Sequence, residues 1–352
     1  MKLVKLTLAA ALLSATTLGA QASELRIALQ SDADVLDPDQ SRTFVGRIVY
    51  TALCDKLVDI TPDLEIIPQL ATKWSFSEDG KQLTMNLRDD VVFHDGTPFD
   101  AEAVAANIDR SQNFEESRRK SELSSISGVE VLDSHEIRLD LADADATLMA
   151  QLADRAGMMV SPTAATEAGA DFGLNPVCSG PYKFKERVAQ DRIVLEKFAD
   201  YYNADEYHFD TVSYLPIPDT TVRLANLQSG GIDMLERLAA TDLAQAESDA
   251  GIQVASAVSL GYQGITINVA NGEKADNPWG KDKRLRQALS LSIDREAINQ
   301  VVFNGAFAAG NQPFPPTSPW YSKDFPVPAR DVEQAKALLA EAGYPDGFEI
   351  DF

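Results

Sequence analysis

Alternating apolar and polar residues predict strands at several places along the chain. The clearest are "ELRIAL" at 24–29, "QLTMNLRDDVVF" at 82–93 and "HEIRLDL" at 135–141. The same period of two recurs in "GYQGITINV" at 261–269 and in "YPDGFEIDF" at 344–352. Because side chains on a strand point to opposite faces, this pattern favours half-buried strands. The last alternation stops at Phe352, so we expect the native polypeptide to continue.

Segments whose apolar residues have helical spacing lie between these strands. "FVGRIVYTALCDKLVDI" at 44–60 predicts a helix that carries Cys54. Five other helices should begin after a capping side chain, because Asp and Thr at these positions accept hydrogen bonds from free backbone N–H groups. The predicted caps are Asp100, Thr221, Asp282, Asp294 and Asp331. Strands and helices alternate throughout, which predicts an α/β fold.

The N-terminus has the order of a secretory leader. Lys2 and Lys5 precede the apolar run "LTLAAAL", and Ala20-Gln21-Ala22 is a small-residue cleavage site. That run is shorter than the roughly 20 apolar residues needed to span a bilayer. We therefore predict a signal peptide at 1–22, an exported mature chain and a periplasmic location.

Length and charge narrow the class of protein. The 330 residues left after the leader predict two domains or lobes. Net charge is −23, and loss of the two leader lysines makes it −25. Such an acidic surface repels nucleic acid, so no nucleic-acid partner is expected.

The chain carries few candidates for catalysis. His94, His135 and His208 are the three histidines, and none has the spacing of a metal site. Hydrolase and nucleotide motifs are missing, so we expect no catalytic residue, no metal and no cofactor. His94-Asp95 lies in a segment with the pattern of a strand, a turn and a helix cap, and we interpret it as structural. The loop with Asp32, Asp34, Asp37 and Asp39 fails the EF-hand pattern and is interpreted as solvated, with a ligand-facing edge as the alternative.

Four segments together resemble one family, the bacterial extracellular solute-binding proteins of family 5. They are residues 64–104, 175–202, 282–305 and 331–348, in the family's order. The resemblance implies a type II periplasmic binding protein fold of the large cluster, with two α/β lobes. It places the first lobe at 23–54 and 175–259, an inserted subdomain at 55–174, and a second, incomplete lobe at 260–352.

The resemblance also implies a function. The protein is expected to be a monomer that captures a small peptide or peptide-like solute between its lobes and delivers it to ABC permease subunits. The family's usual contacts for charged peptide termini fall outside this chain, so none can be transferred. Candidate ligand contacts come instead from the end of the first strand, the lobe crossover and a loop aromatic; they are Ser31, Asp32, Tyr262, Gln263 and Trp320.

Several alternatives stay open. Opines, glutathione-like compounds, sugars or chelated nickel would fit the same fold. An exported hydrolase acting on cell-wall peptides would need a nucleophile and base, or a metal. A chaperone-like or sensory binder would bind without feeding a permease.

The two cysteines, Cys54 and Cys178, are expected to pair. Export to an oxidising compartment favours a disulfide over free thiols. In the family-like arrangement this bond would join the first-lobe helix to the block that follows the subdomain. The alternative is a pair of separate buried thiols.

Overall fold

The computed structural model describes residues 23–257 and 261–350. The predicted leader at 1–22, the predicted start of the second lobe at Leu260 and the terminal Phe352 lie outside these residues. The strands are β1 Glu24–Leu29, β2 Val58–Ile60, β3 Ile66–Pro68, β4 Ala71–Phe76, β5 Gln82–Leu87, β6 Ile126–Asp133, β7 Glu136–Leu141, β8 Tyr182–Val188, β9 Arg192–Lys197, β10 Thr211–Pro216 and β11 Met234–Leu235.

Helices connect these strands and make up most of the later part of the chain. The α-helices are α1 Phe44–Leu53, α2 Ala101–Asn113, α3 Leu148–Leu152, α4 Pro162–Ala168, α5 Thr220–Gln228, α6 Leu243–Ser248, α7 Pro278–Lys281, α8 Lys283–Ser292, α9 Arg295–Phe303 and α10 Val332–Glu341. Short 3₁₀ turns occupy Arg155–Gly157, Gly169–Leu174, Ala204–Glu206, Ala240–Asp242 and Glu273–Ala275. None of the helices in the described ranges has the length and apolar character to cross a membrane.

Three sheets organise the strands. The first has the order β11-β1-β10-β9-β8, and the second pairs β2 with β3. The third is a four-stranded sheet with the order β4-β5-β7-β6. In the first sheet, β1 pairs in parallel with β10, from Glu24 beside Thr211 to Leu29 beside Pro216. Everything from residue 30 to 210 is therefore inserted between two neighbouring strands.

Two hydrophobic clusters correspond to the four-stranded and the five-stranded sheet. One covers the four-stranded sheet and α2, with Leu83, Met85 and Leu139 fully buried. The other covers the five-stranded sheet and α1, with Leu29, Val49 and Leu195 fully buried. The apolar positions of β5 and β7 are the buried ones, as the alternation in the sequence predicts.

The chain divides into two compact units. The first contains residues 23–61, Glu65–Pro218 and Ile232–Met234, and the second contains the remainder of the described chain. The lobe and subdomain boundaries inferred from the sequence remain predictions.

Within the second unit, α8 and α10 provide the clearest packing. Leu285 and Ala288 of α8 are buried, as is Ala335 of α10. Arg284 donates to the Glu341 carbonyl over 2.8 Å. The caps predicted for these two helices are confirmed, because Asp282 accepts from the Arg284 N–H and Asp331 from the Gln334 N–H.

Five predicted elements are wrong in detail. The strand predicted over 82–93 ends at Leu87, and residues 344–350 of the strand predicted over 344–352 form no strand. The helix predicted over 44–60 ends at Leu53, because the Leu57 N–H pairs with the Gly157 carbonyl and 58–60 pairs with β3. Asp219, rather than Thr221, caps α5 through the Val222 N–H. Residues 261–269 form no strand, and Ile265 and Val269 are half exposed, since no described strand pairs with them.

Cys54 and Cys178 are joined by a disulfide, with their Cα atoms 4.8 Å apart. Cys54 caps the C-terminus of α1, and Cys178 precedes the turn into β8. Gly180 is required beside this bond, because an added Cβ would lie 2.6 Å from the Leu53 carbonyl carbon and oxygen. Its N–H donates to that same carbonyl over 2.8 Å.

Replacing both cysteines with alanine should lower the free energy of unfolding. The bond closes a loop of 124 positions, and the chain-entropy model gives an upper estimate of about 5 kcal/mol. Urea unfolding of the C54A/C178A protein against wild type measures the difference. Labelling of two thiols after non-reducing denaturation of the wild type would contradict the bond.

Candidate functional site

The loop after β1 holds two of the predicted ligand contacts. Ser31 is exposed, whereas the Asp32 side chain is only 4% exposed. Asp32 Oδ2 accepts from Arg187 Nη2 and from the Gln190 N–H, both at 3.0 Å. Its Oδ1 is buried without a hydrogen-bond partner in the described chain. Asp32 therefore fastens this loop to the β8–β9 hairpin, and a ligand role for it stays a prediction.

The other predicted contacts belong to the second unit. Tyr262 and Gln263 are neighbours in a segment without regular secondary structure, and both are exposed. Trp320 lies in a turn, 64% exposed, and its N–H donates to Ser318 Oγ over 3.2 Å. Exposed aromatic rings of this kind can stack on a ligand. Their ligand role also stays a prediction.

The acidic loop is only partly solvated, unlike in the sequence interpretation, because Asp34 is exposed but the two aspartates that follow it are buried. Asp37 is fully buried and Asp39 is 6% exposed. Arg110 of α2 reaches both, with Nη2 at 2.7 Å from Asp37 Oδ2 and Nη1 at 2.5 Å from Asp39 Oδ2. Ser111 Oγ adds a bond of 2.7 Å to Asp39 Oδ1. A charge taken out of water requires such partners, and the sequence interpretation omitted them.

Electrostatics in this loop follow from burial and pairing. Burial raises the pKa of Asp39, and the charge of Arg110 and the bond from Ser111 only partly oppose it. Burial acts against the Arg110 cation, yet Asp37 and Asp39 outweigh it and raise the pKa of Arg110. Asp34, in the same loop, accepts from Ser41 Oγ, the Arg42 N–H and Thr43 Oγ1, each at 2.8 Å. Burial opposes its ionisation, but these bonds prevail and lower the pKa of Asp34.

No metal centre emerges from this arrangement. Within residues 23–257 and 261–350, no group of three or more His, Cys, Asp or Glu side chains could hold an ion. The Asp37 and Asp39 carboxylates are instead both paired with one guanidinium.

His94 is fixed by two backbone groups beside the disulfide. Its Nε2 lies 2.9 Å from the Gly180 carbonyl, and its Nδ1 lies 3.3 Å from the Cys178 N–H. A carbonyl only accepts and an N–H only donates, so the ring is neutral with its proton on Nε2. Burial lowers the pKa of His94 to about 4, against the bond to Gly180. This geometry supports the structural interpretation of His94.

A buried carboxylate, Asp55, lies directly after the disulfide. It is 1% exposed and accepts from Tyr201 Oη over 3.0 Å and from Gln69 Nε2 over 3.1 Å. Burial raises the pKa of Asp55 to about 7, although bonds from Tyr202 and Tyr201 act in the opposite direction. The same burial raises the pKa of Tyr201.

Sequence reasoning missed Arg110 and Asp55. A signal for Arg110 was present, since it follows Asn107 by three positions on a helix whose Asn107, Ile108 and Ser111 are buried. A cation on a buried stripe predicts an acidic partner elsewhere. Asp55 carried no comparable signal, because its partners Gln69 and Tyr201 are distant in the chain.

Comparison with known proteins now decides the family. The family model described as "Bacterial extracellular solute-binding proteins, family 5 Middle" matches residues 65–352. The chain belongs to this family. The resemblance of the four sequence segments is thus confirmed, and so is the α/β fold class of type II periplasmic binding proteins.

This family 5 protein is similar to proteins named for binding glutathione. It is 30% identical to the glutathione-binding protein of Pectobacterium atrosepticum over 328 residues, which cover 93% of this chain and 62% of that protein. The chain thus spans less than two thirds of the length of that relative.

Two solved structures share the fold. A Helicobacter pylori periplasmic binding protein, DppA, in complex with the peptide STSA has a TM-score of 0.80 and 26% identity, covering 92% of this chain and 67% of that one. AgaA of A. tumefaciens in complex with agropinic acid has a TM-score of 0.76 and 29% identity, covering 92% and 65%.

Replacing Arg110 with alanine should destabilise the first unit strongly. Two buried carboxylates would lose their cation, a loss that typically costs about 3–5 kcal/mol. The stability of the R110K protein should lie between those of R110A and wild type, because an ammonium lacks the planar fork that reaches both acids. Urea unfolding provides the measurement, with R192A as the control, since Arg192 pairs with Glu186 and Asp191 at the surface. Equal stability of R110A and R192A would contradict this role.

Replacing His94 with glutamine should reduce the loss of stability in acid. The unfolded chain binds a proton near pH 6.5, whereas folded His94 does so only near pH 4. Wild type therefore loses stability as pH falls through this window, by up to about 3 kcal/mol for this one group. Unfolding free energies of wild type and H94Q at pH 7 and pH 4 measure the difference.

The control for this experiment is H135Q, on the turn between β6 and β7. Its ring contacts the exposed Ser134 rather than buried backbone. An H94Q protein whose pH profile parallels those of wild type and H135Q would contradict the assignment.

Proposed function

We propose that this family 5 protein is the periplasmic substrate-binding component of an ABC importer. It captures a small peptide or peptide-like solute and delivers it to the membrane permease subunits. The observation that carries the proposal is the family match over residues 65–352, together with similarity to a glutathione-binding protein over 93% of the chain. A secretory leader at 1–22 and a monomeric protein in the periplasm belong to the same proposal.

The solute class is supported by what the relatives bind. One relative is named for glutathione, and the others hold the peptide STSA and agropinic acid. All three ligands are carboxylic acids with further polar groups. A peptide-like solute that carries at least one carboxylate is therefore the class we propose.

Binding without bond cleavage is also part of the proposal. His94 was the most tempting catalytic residue in the sequence, and both of its ring nitrogens contact backbone groups under the disulfide. A neutral ring held in this way has no free nitrogen for proton transfer, which supports a structural role.

The proposed solute contacts are those predicted from the sequence. Tyr262 and Trp320 supply exposed rings, and Gln263 supplies an amide on a neighbouring exposed position. Ser31 offers an exposed hydroxyl on the loop that Asp32 holds against β8–β9.

The identity of the solute is best tested by native mass spectrometry of protein purified without denaturation. A released mass that matches a small peptide or glutathione supports the proposal. A carbohydrate or a metal chelate contradicts the peptide assignment and leaves the family fold intact. Turnover of a peptide by the purified protein would contradict a pure binding function and favour the hydrolase alternative.

Replacing Trp320 with alanine should weaken solute binding by roughly tenfold, the order expected for loss of one stacking ring. Isothermal titration with glutathione and with the peptide STSA measures the affinity. The matched control is F325A, since Phe325 is 66% exposed and Trp320 is 64% exposed in the same unit. Equal affinities of W320A and F325A would remove Trp320 from the site.

A further inference from the structure

Three arginines of the first unit converge on one stretch of backbone, and we call them the arginine cluster: Arg47, Arg119 and Arg155. Arg119 Nη2 and Arg155 Nη1 both donate to the Ser41 carbonyl, at 3.1 and 3.3 Å. Arg47 pairs with Asp154, the residue directly before Arg155. The shared carbonyl and the adjacent ion pair place three like charges in one small region.

Acidic partners do not balance this cluster. Asp154 pairs with Arg47 and Glu122 pairs with Arg119, which leaves three cations against two anions. Arg155 donates only to the carbonyls of Ser41 and Thr43 among the bonds described for it. Asp34 is close in the chain, but its oxygens accept from Ser41, Arg42 and Thr43 rather than from a guanidinium. One positive charge is therefore in excess.

Donor capacity is in excess as well. The Nε atoms of Arg47, Arg119 and Arg155 are all buried, and none has a hydrogen-bond partner within the described residues. Buried guanidinium donors are normally satisfied, because each one left unpaired costs free energy. Three such donors in one cluster leave hydrogen-bonding capacity for an anionic acceptor.

The side chains of the cluster and its partners differ in exposure to solvent. Arg119 forms the buried floor, with a side chain that is 5% exposed. Arg47 and Asp154 form a rim at 36% and 29% exposure. The Arg47 guanidinium lies 4.8 Å from the ring centroid of Phe44, which is itself 63% exposed. An exposed ring beside a half-exposed cation is a surface suited to a small organic anion.

We propose that the arginine cluster binds a carboxylate group of the transported solute. The inference rests on the proposed solute-binding function and deepens it, because it selects solutes with a carboxylate that the guanidiniums can pair. A planar carboxylate accepts two parallel N–H bonds from a guanidinium, which a carboxamide of the same size does not match.

Electrostatics inside the cluster favour the binding of an anion. Burial lowers the pKa of Arg155, and the neighbouring charges of Arg119 and Arg47 lower it further, while Asp154 and Glu122 only partly compensate. A bound carboxylate would relieve this repulsion. The cost of holding three cations together is thereby recovered when the solute binds.

Succinate and its neutral isostere succinamide test the proposal on the intact chain. Saturation-transfer NMR titrations at constant ionic strength should show saturable binding of succinate and none of succinamide. R47Q should weaken succinate binding by roughly tenfold or more, the order for one charged hydrogen bond. R47K should retain part of the affinity for succinate. R192Q is the control for a surface arginine elsewhere in the same unit, and circular dichroism checks that each variant is folded.

Two results overturn the proposal: equal binding of succinate and succinamide by wild type, or equal succinate binding by R47Q and R192Q. Failure of the proposed function looks different. If wild type carries and binds no peptide, yet binds succinate through Arg47, the cluster stands and the peptide assignment falls. If glutathione binds R47Q and R155Q as tightly as wild type, solute binding stands and the cluster has only a structural role.

Discussion

The buried ion pair of Arg110 with Asp37 and Asp39 is the interaction on which the loop between β1 and α1 depends. The two acids have almost no access to water, so their charges are tolerable only while α2 keeps the guanidinium in place. That loop carries Ser31 and Asp32 at one end. At the other end, it presents the carbonyls of Ser41 and Thr43 to Arg119 and Arg155. The candidate contacts of the first unit are thus positioned by a buried ion pair that is not itself one of those contacts.

A second junction lies where the two hydrophobic clusters of the first unit meet. Cys54 belongs to the cluster around α1, and Asp55, the next residue, accepts from Tyr201 and Gln69. Cys178 meets His94 from the other side through its N–H and its carbonyl. The disulfide and these hydrogen bonds therefore join the two hydrophobic clusters. Apolar packing is non-directional and would not fix the position of one cluster against the other.

The sequence correctly predicted those elements that are determined by residues close to one another in the chain. The alternation in 82–87 and the caps at Asp100, Asp282 and Asp331 depend on neighbours a few residues away, and the structure confirms them. The end of α1 was predicted wrongly because it is set by Gly157, far along the chain. The burial of Asp37 was missed for the same reason, since Arg110 is 73 positions away. Residues 261–269 alternate between apolar and polar side chains as a strand would. A strand also needs a partner strand for its backbone hydrogen bonds, and the alternation does not supply one. For the candidate site, the sequence marked residue types suited to a ligand, while the unpaired donors of Arg47, Arg119 and Arg155 became visible only with the fold.

The parallel pairing of β1 with β10 has a consequence for the order in which the protein can fold. Both neighbours of β1 in its sheet, β10 and β11, follow it by more than 180 residues. β1 therefore lacks both of these partner strands until the chain has been synthesised to residue 216, whereas the hairpins of β4–β5, β6–β7 and β8–β9 need only adjacent segments. Closing so long a loop is slow compared with hairpin formation. The inserted segment can acquire its own core first, and the five-stranded sheet, with the loop that follows β1, is completed last.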